Sequence, residues 1–94
     1  MSLRHIVLFR FRAEVPEAEV TRAVELLDSL RASPGVREWR VVRSLDERKG
    51  IVVAEVGLFE TSEHFEAFRA SERHADVSAY LAERADWLVA DFPE

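Results

Sequence analysis

The 94-residue chain contains no cysteine, which excludes disulfides, thiolate catalysis and any zinc or iron site built on sulfur. Glycine and proline are scarce, three of each, so the composition is neither low-complexity nor that of a flexible linker. A positive excess is also missing. The 13 Lys and Arg stand against 18 Asp and Glu, a formal charge of −5, and the basic residues are interleaved with acids. Phosphate recognition needs clustered cations, so neither nucleic acid nor a membrane surface is an expected partner. No apolar run approaches the roughly 18 to 20 residues of a membrane span, and the stretch after Arg4 is broken at Arg10 before it could serve as a signal-peptide core. A cytoplasmic location is expected, and any chemistry falls to His, carboxylates, Tyr or hydroxyls.

What is present is a globular composition, 48% hydrophobic and 33% charged. Residues 1–94 are expected to form one domain. A chain this short buries only about 60 to 65% of the surface its unfolded form exposes, so a second copy covering more apolar area would help it.

Leu3 to Arg12 is β-branched and aromatic, with Val7, Phe9 and Phe11 on one face of a strand and Ile6 and Leu8 on the other. After Pro16, the residues Val20, Ala23, Val24, Leu27 and Leu30 recur at helical spacing, and Ser33-Pro34-Gly35 ends the helix. Trp39, Val41 and Leu45 alternate with polar residues as a half-exposed second strand, and the charged turn Asp46 to Gly50 leads into Ile51 to Phe59. Gly57 within that apolar strand suggests a bulge or a close backbone approach. Thr61 or Ser62 can cap the next helix, which carries Phe65 and Phe68 and is expected to kink near Ser71 before Val77, Leu81 and Ala85. Trp87 to Phe92 reads as a short last strand. The order β-α-β-β-α-β is the ferredoxin-like α+β arrangement, an antiparallel sheet with its helices on one face. The other face, apolar on strands one and three, is expected to pack on a second copy, giving a homodimer with two sheets face to face.

Five pieces in this order, Arg4-His5-Ile6-Val7-Leu8-Phe9-Arg10-Phe11, Pro34-Gly35-Val36, Phe59-Glu60, His74 at the start of a helical segment and Val89-Ala90-Asp91-Phe92, make the whole chain resemble the stress-response dimeric α/β-barrel (Dabb) family. The resemblance implies a ferredoxin-like dimer whose paired sheets close a barrel. It also implies a candidate chemistry, because one member, olivetolic acid cyclase, closes a linear polyketide by aldol condensation with paired histidines that match His5 and His74. This chain has Phe68 where the cyclase has an assisting Tyr, and Ser71-Glu72 where a His-Pro pair is often found.

Read as residues, His5 shares a strand face with Val7, Phe9 and Phe11, and is either a core histidine bonded to a backbone carbonyl or the titratable group of an apolar pocket. His74, near a helix N-terminus where the macrodipole favours the neutral ring, is either a half-exposed polar residue or a general base. His64 is expected on the solvent side of its helix. Val7, Phe9, Phe68 and Tyr80 are the candidate pocket lining, although Phe at helical spacing is also ordinary core. Charged stretches such as Glu83 to Asp86 are expected to be solvated helix surface. No cofactor and no metal site is expected, since the histidines lack a ligand spacing. Two functions stay open. One is a homodimer with an apolar small-molecule pocket and acid/base chemistry through His74 and His5. The other is a non-catalytic, stable stress or structural protein. A cofactor-free monooxygenase on the same scaffold has no residue of its own in its favour.

Overall fold

The computed structural model describes residues 1–94. Strands β1 (Leu3–Phe11), β2 (Val36–Arg43), β3 (Val52–Phe59) and β4 (Ala85–Pro93) form one sheet in the order β2-β3-β1-β4, with every neighbouring pair antiparallel. Helices α1 (Glu17–Ser29), α2 (Ser62–Ala70) and α3 (Glu72–Ala82) cover one face. This is the ferredoxin-like α+β fold that the element order predicts.

Alternation decides which side chains meet the helices. On β1, His5, Val7, Phe9 and Phe11 are buried beneath them, and the register sets Gly57, Glu55 and Val53 of β3 and Asp91, Val89 and Trp87 of β4 beside that row. Val20, Ala23, Leu27, Phe65, Phe68, Val77 and Leu81 close the core from above. The intervening residues point to the uncovered face, where Leu88 is 76% exposed and Leu8, Val42 and Phe92 are also exposed.

Several boundaries depart from the sequence expectation for local reasons. The second strand begins at Val36 and ends at Arg43, and Leu45 is fully exposed outside it. The Asp46 side chain accepts from the Arg48 backbone N–H and draws the chain into its turn before Leu45 can pair. The last strand runs from Ala85 to Pro93, longer at both ends than Trp87 to Phe92, because it pairs with the whole of β1. Asp86 consequently lies on a strand and not on helix surface. Arg84 is not simply solvated either: it stacks over the Tyr80 ring at 3.7 Å and donates to Glu19 at 2.8 Å.

The break at Ser71 is complete. Its backbone is extended (φ −73°, ψ 149°), ending α2, and its Oγ accepts from the His74 backbone N–H to start α3. Gly57 makes the close approach its position suggests, since a Cβ there would lie 2.6 Å from the Trp39 ring. Trp39 is held over it by an indole N–H donated to the Leu27 carbonyl at 3.0 Å.

Candidate functional site

The strand register brings three titratable side chains together below the helices. His5 stands on the inner strand β1, opposite Gly57 on β3 and Asp91 on β4, while Glu55 lies one inward position along β3. The ring of His5 therefore has a carboxylate on each side: Nδ1 is 2.5 Å from Asp91 Oδ1 and Nε2 is 3.1 Å from Glu55 Oε1. His5 and Glu55 are nearly sealed, with side chains 7% and 4% exposed, whereas Asp91 is 30% exposed at the rim. Burial opposes a charge on His5, but hydrogen bonds to Glu55 and Asp91 outweigh it and hold the ring above its ordinary pKa. When protonated, His5 can donate from both nitrogens at once, one to each carboxylate, which is why the pair favours its charged form.

His74 is its opposite. The Ser71 cap fixes its backbone in the first turn of α3, and its half-buried ring packs edge-on against Phe68 at 4.8 Å. Burial depresses its pKa; the negative charge of Glu55 pulls it back up, and the positive charges of His5 and Arg69 push it down again, so that it stays below its ordinary value. Neither ring nitrogen of His74 has a protein hydrogen-bond partner, and no fully enclosed side-chain nitrogen or oxygen of the chain lacks one, so the ring opens outward.

His5 and His74 border one cavity of about 290 Å³ between β1, β4 and the helices. Its walls are mainly apolar, and Val7 and Phe9 form part of its floor. Arg69, itself stacked on Phe65 at 5.7 Å, brings a guanidinium to the same space. The other two proposed lining residues lie elsewhere. Phe68 is buried behind the histidines, in contact with both rings, and does not reach the cavity surface. Tyr80 faces Arg84 on another side of α3. His64 is also not a solvent-side residue: it is half-buried, its Nδ1 2.8 Å from the Thr61 hydroxyl and its ring over Gly35, whose φ of +83° and missing Cβ admit it. No group of three or more His, Asp or Glu side chains is placed to hold a metal ion.

Glu55 and Asp91 are the site residues that sequence reasoning missed. The signal for Glu55 was available, since it is the single charge among the inward positions Val53, Glu55, Gly57 and Phe59 of an apolar strand, and a buried charge demands a partner. Asp91 belonged to a quoted motif, but only the β1–β4 register sets it opposite His5.

A family model described as the stress responsive A/B barrel domain matches residues 3–94. Among solved structures, the fold is similar to a dimeric ferredoxin-like protein of unknown function from Thermobifida fusca (24% identity, TM-score 0.88, 100% of this chain and 92% of that one). It is also similar to a hydroxynitrile lyase from Passiflora edulis (18%, 0.84, 97% and 91%). A third likeness is to SnoaB, a cofactor-independent oxygenase from Streptomyces nogalater (14%, 0.81, 99% and 92%). No curated protein sequence matches the chain.

Proposed function

This chain belongs to the stress responsive A/B barrel domain family, and from that premise we propose that it is a homodimer whose subunits each bind an apolar, carbonyl-bearing small molecule and move protons on it through His74 and His5. The observation that carries the proposal is the pairing, on one apolar cavity, of a histidine held between two carboxylates, with its pKa raised, and a second histidine left unpartnered, with its pKa lowered. Two titratable groups driven apart in this way form an acid and a base that coexist at one pH.

In the step this arrangement supports, a free nitrogen of neutral His74 takes a proton from a carbon beside the carbonyl. The C–H bond breaks, an N–H bond forms, and the electron pair moves to the carbonyl oxygen, near the Arg69 guanidinium. His5 stores the second proton on the same wall. The enolate carbon then attacks a second carbonyl carbon, the first carbonyl re-forming and the C–C bond being made as the second carbonyl's π pair moves to its oxygen, and return of the His74 proton to this oxygen completes an aldol closure of the polyketide-cyclase kind. Phe68 offers no phenol to assist, so the base works from burial alone. The Passiflora lyase and the Streptomyces oxygenase lend support only in that the same fold carries activities in other proteins. The dimer is supported by the exposed apolar face and by the dimeric Thermobifida neighbour.

Thermal unfolding against a panel of aromatic and acyl ketones tests the proposal. A ligand at about 100 times its Kd adds roughly 2.7 kcal/mol, and each kcal/mol moves the midpoint of a domain this size by about 4 to 8 °C. Wild type is expected to shift, and His74→Ala, still folded, to lose turnover of any ketone that the wild type converts. No shift with any ketone and a high midpoint would favour the stable, non-catalytic protein.

A further inference from the structure

Glu55 is the most deeply buried carboxylate of the site, 3% exposed, and the proton-transfer step above does not use it. Its Oε1 is taken by His5 Nε2. Its Oε2 makes no protein hydrogen bond, yet no fully enclosed side-chain oxygen in the chain is without one, and Glu55 lines the cavity; Oε2 therefore opens onto it. Whichever partner holds the proton in the Glu55–His5 contact, that proton sits between Oε1 and Nε2, and Oε2 is left with lone pairs only. A group docked against it must be a donor. An ether or a second carbonyl there would leave acceptor facing acceptor at a nearly buried carboxylate, which is the arrangement enzymes use to reject analogues lacking a hydroxyl.

We propose that Glu55 is a specificity residue, and that the ligand of this cavity carries a hydroxyl, phenolic or enolic, donated to Glu55 Oε2 while its apolar body rests on Val7 and Phe9. The proposal rests on the pocket function argued above and narrows its substrate class to hydroxylated ketones. Arg69, at the same cavity and paired with Glu66 at 3.6 Å through Nη1, has further N–H groups to offer the ketone oxygen, so the two ends of such a ligand find opposite partners.

The test compares para-hydroxyacetophenone with para-methoxyacetophenone by titration calorimetry on wild type and Glu55→Gln. The glutamine is isosteric and keeps a carbonyl for His5 Nε2, but turns an NH₂ donor to the cavity. Wild type is expected to favour the hydroxyl compound by about tenfold or more, the worth of one hydrogen bond to a charged acceptor. Glu55→Gln is expected to lose or reverse that preference. Equal binding of the two ketones by wild type, or an unchanged preference in Glu55→Gln, overturns this assignment while leaving the pocket in place. Failure of wild type to bind either ketone removes the pocket function and this inference with it. Should Glu55→Gln not fold, Asp91→Asn decides: a preference kept there stays with Glu55, and one lost there belongs to the other carboxylate of the cavity and overturns the assignment.

Discussion

Removing the His5 ring would strand Glu55 as a buried, unpaired charge. His5→Ala is expected to lose about 3 to 5 kcal/mol, a large share of the stability of a small domain, measurable by urea unfolding. The two histidines also shape stability against pH with opposite signs. The folded pKa of His5 is raised, so its contribution is complete below the ordinary value of 6.5 and is lost as pH climbs through the raised value. That of His74 is lowered, so between the lowered value and 6.5 the unfolded chain holds a proton the folded one does not, and stability rises with pH there. Unfolding free energies across pH are expected to lose the falling limb in His5→Gln and the rising limb in His74→Ala. At this scale the sequence was half legible. Both histidines could be singled out, one by its place on an apolar strand face and the other by its helix N-terminus. Their states could not: that of His5 depends on Glu55 and Asp91, 50 and 86 positions away along the chain, and that of His74 depends chiefly on the burial of its ring.

Among the elements, the junction of α2 and α3 matters most to the chemistry, since one serine ends the first helix, caps the second and thereby sets the backbone of His74. Ser71→Ala is expected to lower stability by about 0.5 to 2 kcal/mol and to weaken ketone binding more than a helix-surface change would. Hydrogen exchange of the His74 amide would register the loss directly. The kink was readable from Ser71 itself, as the close approach at Gly57 was from a glycine in an apolar strand. The full length of β4 was not, because Ala85, Asp86 and Pro93 have little strand character of their own and are drawn in by pairing with β1. Leu45 failed in the reverse direction: its alternation with Trp39 and Val41 is real, but the Asp46 turn ends the ladder first.

For the whole molecule, period-two alternation on strands apolar on both sides was enough to give the ferredoxin-like order and an uncovered face. Leu88, at 76% exposure, stands on that face. Leu88→Lys is expected to turn a dimer into a monomer by light scattering at micromolar concentration, with the histidine cavity on the opposite face retained. A wild type that is already monomeric would contradict the dimer. The same two-sided layering explains why the site forms where it does. The sheet is sealed by helices above β1 and β3, but β4 is an edge strand, so Trp87, Val89 and Asp91 leave the cavity open at its rim. The proposed chemistry needs one histidine of this cavity charged and the other neutral. Heteronuclear NMR of the imidazole rings through a pH titration measures it without any ligand. His5 is expected to keep both N–H protons above pH 6.5, while His74 titrates below it. A His5 that loses its proton first, or two rings that titrate together, would contradict it.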